Sequence, residues 1–252
     1  MSDAMQDRIK ALILVLTAAY LTYLLVSGNL FFYIGPRFSW LVILGIGLMV
    51  ILASSYRLVG PKADDTQPIV EDVYLYNDYL EADRPKTGLV ALTLVALPLL
   101  LGVTVPARPL DASAVPNRGV STELASADPS QSLTIVAGER NVLDWVRTIS
   151  NSDDPAALNG EEFDAVGFVY RDTRFGEDEF MVARFTMTCC AADAMAIGVI
   201  IRSDEAADFE TNSWVRVQGS FTEGDFDGDA LPIVSADSID PANEPEQPYL
   251  FP

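Results

Sequence analysis

The sequence predicts a membrane protein that combines three transmembrane helices with a small exported β domain. The first 105 residues contain three long runs without charge, and the hydrophobic pattern takes a period of two only in the second half. Charge divides the chain in the same way. Residues 1–105 carry 7 basic and 9 acidic residues, a net of −2, whereas residues 106–252 carry 9 arginines and 27 acidic residues, a net of −18. We therefore expect the first part in lipid and the second in water.

The transmembrane region is predicted over residues 1–105, with spans at about 10–28, 38–56 and 87–106. A helix needs about 20 apolar residues to cross a bilayer, and each run provides roughly that length. The alternatives are buried helices of a soluble domain and, for the first run, a cleaved signal peptide. Three such runs would leave little polar surface to cover them, and no clear small-x-small cleavage site follows the first. We therefore expect a multi-pass protein of the cell membrane.

Lysine and arginine predict the orientation of the spans. Arg8 and Lys10 precede the first span and four more basic residues follow the second, whereas the loop between spans one and two has only Arg37. The positive-inside rule then places the N-terminus in the cytoplasm and the C-terminal domain outside it. No buried acidic or basic residue is expected inside a span, so these helices are not expected to form a pore or pump unaided.

The exported part is predicted as a linker over 106–131 and an OB-like five-stranded β-barrel over 132–252. The linker is rich in Pro, Ala, Ser and Asp, and Asn141 is a good N-cap for a short helix after it. The predicted strands are Phe163–Tyr170, Glu179–Thr188, Ala196–Arg202, Trp214–Thr222 and Leu231–Ser238. The longest gap lies between the third and fourth, as in OB folds, and a five-stranded sandwich is the alternative.

Composition also narrows the function. The chain has no histidine, which removes Ser-His-Asp and Cys-His catalysis, and no spacing places its carboxylates as an acid–base pair. We therefore do not expect an enzyme. The net charge of −18 in the exported part excludes nucleic acid as a partner. Asp225–Asp229 resembles half of a calcium loop without its terminal glutamate, and a hairpin turn is the favoured interpretation.

Cys189 and Cys190 are the only cysteines, and they are adjacent. They end the second predicted strand, where neighbouring side chains point to opposite faces. Three interpretations remain open: small buried residues, a redox pair, or a thiolate metal site completed by Asp193 or by a partner subunit. Two thiolates are too few for a closed zinc site, but soft sulfur ligands favour Zn or Cu(I). The candidate metal ligands are therefore Cys189, Cys190 and Asp193, with a soft transition metal such as zinc and no certain cofactor.

Several runs together resemble one family, and the cysteine run is the most specific of them. They are Ala165–Tyr170, Arg184–Ala194, Trp214–Gly219, Pro245–Pro252 and the loop Tyr33–Arg37. These runs are similar to the YcgQ-like family, whose members are described as subunits of a two-component membrane permease complex. The resemblance implies that a polytopic YcgR-like permease subunit is the partner and supplies the transport path, with membrane lipid around the helices.

The leading hypothesis is an accessory permease subunit whose extracytoplasmic domain gates the transporter or binds a solute or metal. The alternative is a membrane-anchored extracytoplasmic thiol redox or metal-binding protein that acts alone. The two differ in whether the helices need a partner and in whether the thiols react.

Overall fold

A computed structural model describes residues 3–58, 89–118, 120–121, 140–152 and 154–252. The chain forms two compact units. One comprises Met1–Leu30 with Pro36–Ala107, and the other comprises Phe31–Gly35 with Arg108–Pro252. Most of the predicted cytoplasmic loop, residues 59–86, and residues 122–131 of the predicted linker lie outside the described residues.

In its described residues, the first unit has three α-helices, α1 (Asp3–Val26), α2 (Ser39–Leu58) and α3 (Leu89–Thr104). Within the described residues, α1 and α2 are long and apolar enough to cross a membrane, with mean hydropathies of 2.1 and 2.2. Only 11% and 6% of their most apolar segments are buried, so they are not core helices of a soluble domain. This exposure fits association with a membrane.

Helix α3 is shorter than the span predicted at 87–106. Its 16 residues rise about 24 Å, against a hydrocarbon core of about 30 Å. It packs closely on α1, because the Tyr20 hydroxyl donates to the carbonyl of Gly102 at 2.7 Å. A Cβ atom at position 102 would lie 2.8 Å from the Tyr20 ring, so glycine permits this approach.

The second unit is built on one seven-stranded sheet. Its strands are β1 (Val120–Ser121), β2 (Glu162–Tyr170), β3 (Glu179–Thr186), β4 (Met195–Arg202), β5 (Trp214–Phe226), β6 (Asp229–Pro241) and β7 (Tyr249–Leu250). The order across the sheet is β1-β4-β6-β5-β2-β3-β7, and β3 also pairs with β4. That extra pairing closes the five strands from β2 through β6 into a continuous ring. In this ring β4 and β6 are parallel, and all other neighbouring strands are antiparallel. The five predicted strands are thus confirmed.

Three of these strands, β3, β5 and β6, differ from the prediction by two or more residues at an end. Strands β5 and β6 are 13 residues each, because a two-residue loop at Asp227 and Gly228 lets them pair to their tips. Both loop residues have positive φ, 57° and 92°, as tight hairpins require, so the predicted hairpin turn is confirmed. Strand β3 ends at Thr186 rather than Thr188. The cysteines therefore lie outside the sheet, and the expectation that they face opposite sides of a strand is wrong.

Helices close the core on one face of the sheet. Helix α5 (Val142–Ser150) begins at Asn141 with a capping box formed with Asp144, which confirms the predicted N-cap. Its fully buried Trp145 contacts the rings of Phe163 and Phe221, with centroids 5.4 and 5.2 Å apart. The predicted linker contains a further helical turn, α4 (Val115–Arg118), with Ala112 and Val115 buried in a second core on the other sheet face.

Candidate functional site

The candidate site is the segment Thr188–Ala194 between β3 and β4, named here the cysteine turn. Its residues Ala191–Asp193 form a single 3₁₀ turn. Cys189 and Cys190 are free thiols, each half-buried, and their Sγ atoms are 3.7 Å apart. The structure therefore places all three residues that the sequence proposes as ligands on one irregular segment that connects β3 to β4.

Asp193 holds the cysteine turn in shape. Its carboxylate accepts hydrogen bonds from the backbone amides of Cys189 at 2.8 Å and Thr188 at 3.2 Å. Its own amide donates to the carbonyl of Cys190 at 2.9 Å. A carboxylate that binds backbone amides in this way closes a local loop without a regular strand or helix. Asp193 thus has a structural role beside any role as a ligand.

The protonation states follow from the same contacts. The Asp193 carboxylate, and after it the neighbouring Cys190 side chain, raises the pKa of the Cys189 thiol to about 11. Partial burial opposes ionisation of Asp193, but hydrogen bonds from Cys189 and from the backbone amides of the turn outweigh it and lower the pKa of Asp193. At neutral pH the pair is therefore a thiol beside a carboxylate, with the proton on Cys189.

Arg118 supports the turn from outside the sheet. Its guanidinium Nη1 donates to the carbonyl of Ala191 at 2.6 Å and, at longer range, to those of Ala192 and Ala194. These carbonyls belong to a turn that makes few regular hydrogen bonds, so a cation there satisfies otherwise unpaired acceptors. Sequence reasoning missed Arg118 as a site residue, since no pattern links it to a segment more than 70 positions away.

The loop between α1 and α2 pairs with the cysteine turn through one isolated β-bridge. Residues Phe31–Gly35, named here the loop strand, form an antiparallel bridge at Ile34 and Cys190. The amide of Ala191 donates to the carbonyl of Tyr33 at 2.8 Å, and the amide of Gly35 donates to the carbonyl of Cys189 at 2.9 Å. A Cβ atom at position 35 would lie 3.0 Å from the carbonyl oxygen of Thr188, so the approach suits glycine.

The donor set is incomplete for a closed metal site. In the part of the chain that the structure describes, no group of three or more Cys, Asp or Glu side chains is arranged to hold a metal ion. The sulfur spacing of 3.7 Å nevertheless matches the roughly 3.8 Å between two thiolates that share a tetrahedral zinc at about 2.3 Å. The metal assignment of Cys189, Cys190 and Asp193 stays a prediction.

The tail after β6 is also part of the domain. Buried Arg184 donates to the carbonyls of Gln247 and Pro248, both at 2.9 Å, and lies over the Trp214 ring at 5.2 Å. Burial lowers the pKa of Arg184 to about 10. Strand β7 then pairs with β3, beside the start of the cysteine turn. The tail therefore borders the same sheet edge as the candidate site.

The fold and the site define a membrane-associated chain in which apolar helices are joined to a β domain that carries a vicinal cysteine pair. The chain belongs to the DUF1980 family. The DUF1980 N-terminal domain matches residues 9–121, and the DUF1980 C-terminal domain matches residues 117–252. The second match contains the cysteine turn and both Arg118 and Arg184.

Two relatives cover nearly the whole chain. The UPF0703 protein YcgQ of Bacillus subtilis is 22% identical over 280 aligned residues, which cover 96% of this chain and 98% of the relative. A Streptococcus mutans protein named "Putative two-component membrane permease complex subunit" is 21% identical over 268 aligned residues, which cover 91% and 93%. The resemblance to the YcgQ-like family drawn from the residues is confirmed.

Replacing Asp193 by Asn is expected to make Cys189 more reactive. In a Cys190→Ser background, Asn keeps an acceptor for the backbone amides but removes the charge that holds the thiol proton. The pKa of Cys189 then falls from its raised value. At any pH below the new pKa, the rate of alkylation by iodoacetamide should increase roughly tenfold for each unit by which the pKa falls.

The matched control is Asp172→Asn, which removes a carboxylate that pairs with Arg174 at 2.7 Å in the β2–β3 connection. This variant should leave the pH profile of Cys189 alkylation unchanged. An identical profile for the Asp193 variant and its parent would contradict the role assigned to the carboxylate.

Proposed function

We propose that this protein is an accessory subunit of a two-component membrane permease. The observation that carries the proposal is similarity over 91% of the chain to a protein whose name describes such a subunit. The protein's own helices fit this role. The runs 11–36, 38–56 and 87–107 contain no acidic or basic residue of the kind that marks an ion or proton pathway. The transport path then belongs to a polytopic partner of the YcgR-like type.

The topology we propose has three spans, a cytoplasmic N-terminus and an extracytoplasmic β domain. The loop strand and residues from Arg108 onward belong to one compact unit, so they lie on the same side of any membrane. The chain between them must therefore cross an even number of times. Helix α2 is one crossing, which supports α3 as the other despite its length. The uncharged run 87–107 is 21 residues and can complete that span.

We further propose that the ring β2 to β6 is an OB-like barrel used for protein or solute binding. Support comes from the closed circuit of pairings and from the parallel contact between β4 and β6. Its excess of acidic residues disfavours the nucleic acid that many such barrels bind. If this domain gates the transporter or captures solute, it contacts the partner subunit outside the lipid.

The cysteine turn is the proposed binding site within that domain. Cys189 and Cys190 would provide two soft ligands and Asp193 a carboxylate, which leaves room for a donor from the partner subunit. A zinc ion bound there would be held by an open set of ligands and could be passed on. Binding requires loss of the Cys189 proton, so it should strengthen as pH rises.

A second candidate is a membrane-anchored thiol redox or metal-binding protein that needs no permease. The observation that favours it is the close approach of two free thiols, 3.7 Å apart. Purification in mild detergent tests it, since a protein of this kind would be recovered without a polytopic partner.

Purification in mild detergent is expected to recover a polytopic membrane protein together with this chain. Replacing both Cys189 and Cys190 by Ser should leave that association intact but reduce the flux of the transported solute. Mass spectrometry of the purified complex checks the first result, and solute uptake in cells checks the second. Recovery of the chain alone, with the polytopic protein detected elsewhere in the same membranes, would count against the permease role.

The two cysteines are expected to react with a membrane-impermeant maleimide in intact cells, because the β domain is proposed to be extracytoplasmic. The control is a Cys189→Ser, Cys190→Ser variant with Thr66→Cys, in the predicted cytoplasmic loop. It should label only after the cells are permeabilised. Labelling of Cys189 and Cys190 only in broken cells would show that the domain is cytoplasmic.

Metal analysis tests the proposed ligands directly. The full chain purified in detergent and dialysed against Zn(II) should retain more zinc than the Cys189→Ser, Cys190→Ser variant, as measured by elemental analysis. An Asp172→Asn variant serves as the carboxylate control. Equal zinc contents in all three proteins would contradict the metal site and leave the permease proposal standing.

A further inference from the structure

The peptide group between Cys189 and Cys190 links the thiols to the loop strand. Its carbonyl, that of Cys189, accepts the hydrogen bond from the Gly35 amide at 2.9 Å. The next amide, of Ala191, donates to Tyr33 at 2.8 Å, and Cys190 itself forms the bridge with Ile34. The loop strand is thus bound to backbone groups on both sides of Cys190.

A disulfide between these neighbours would disturb that peptide group. Disulfides usually join Cα atoms about 4.4–6.8 Å apart, whereas neighbours across a trans peptide are about 3.8 Å apart. Closing the bond therefore makes a small ring that contains the peptide group, and the sulfurs must approach from 3.7 Å to about 2.05 Å. That ring strains the peptide group, and we expect the strain to turn the peptide and move the carbonyl of Cys189 away from Gly35.

We propose that Cys189 and Cys190 form a reversible redox switch that frees the loop strand from the cysteine turn. One thiol, as its thiolate, attacks a low-molecular-weight disulfide R–S–S–R, forms a mixed disulfide and expels RSH. The second thiol then attacks the mixed disulfide, forms the Cys189–Cys190 bond and expels another RSH. Two electrons and two protons pass to the small disulfide, and excess RSH reverses both steps.

The switch deepens the proposed function by naming how its cysteine turn is regulated. The loop strand is the covalent connection between α1 and α2, the two helices that meet the length for a membrane span. Its attachment therefore restrains that connection when the thiols are reduced. Oxidation removes the restraint, whereas the hydrogen bonds from the Cys189 amide to Asp193 and from Arg118 to the Ala191 carbonyl do not involve the loop strand.

The test compares the full chain in detergent after reduction with a phosphine and after incubation with oxidised glutathione. Intramolecular oxidation is read as a mass loss of two hydrogen atoms. Hydrogen exchange of peptides covering 31–36 and 188–194 is then measured in both states. The amides of Gly35 and Ala191 should exchange about tenfold faster after oxidation, the scale of one backbone hydrogen bond. The Cys189→Ser, Cys190→Ser variant should show neither change.

A pair of glycine variants tests the same coupling in reverse. Gly35→Ala places a Cβ atom 3.0 Å from the Thr188 carbonyl and weakens the pairing, whereas Gly47→Ala has no atom within 4 Å. If oxidation breaks the pairing, a weaker pairing eases oxidation, so Gly35→Ala should need about tenfold less oxidised glutathione for half conversion. Gly47→Ala should titrate like the unchanged chain.

Three results would overturn the switch. They are oxidation with unchanged exchange at Gly35 and Ala191, equal titrations for the two glycine variants, or a folded chain that resists oxidation while its urea-unfolded form oxidises. None of these measurements uses the permease partner. A failed switch together with successful co-purification would therefore leave the proposed function intact. A working switch in a chain that purifies without a partner would contradict only the permease role.

Discussion

Backbone pairing between the loop strand and the cysteine turn is the constraint on which the rest of the structure depends. Two hydrogen bonds, from Gly35 to Cys189 and from Ala191 to Tyr33, attach a short segment between two apolar helices to a domain that begins more than 70 residues later. In the proposed topology, the pairing requires an even number of membrane crossings between the two segments. It also binds the backbone on both sides of Cys190.

The chemistry of the thiols is governed by their neighbours rather than by sulfur alone. Asp193 keeps a proton on Cys189 and closes the turn through backbone amides, and Arg118 holds the opposite carbonyls. A thiol protonated in this way is a poor nucleophile at rest, but it becomes a ligand or a redox group when the proton is removed. This arrangement makes the reactivity of the site conditional rather than constant, which agrees with the proposed regulation of the subunit by oxidation.

Periodicity and composition predicted the elements well and the site only in part. The alternation of apolar residues located all five long strands, and Asn141 located the start of α5, because both signals are local. The vicinal cysteines and Asp193 were also found, since they are close in sequence. Arg118 and the loop strand were not, because their contacts cross 70 residues or more and depend on how the sheet edge folds. The early end of β3 was missed for a related reason. Thr188 and the cysteines have strand-like composition, but Asp193 draws the backbone into a turn.

The most direct test of this account is a cross-link between the loop strand and the cysteine turn in membranes. An Ile34→Cys, Cys189→Ser chain keeps Cys190 as the bridge partner of position 34, and partners in an antiparallel bridge lie about 4.5–5.5 Å apart between Cα atoms, within disulfide range. Mild oxidation should join the peptides containing residues 34 and 190 in tryptic mass spectra. If both cysteines alkylate readily but never cross-link to each other, the pairing and the topology built on it are wrong.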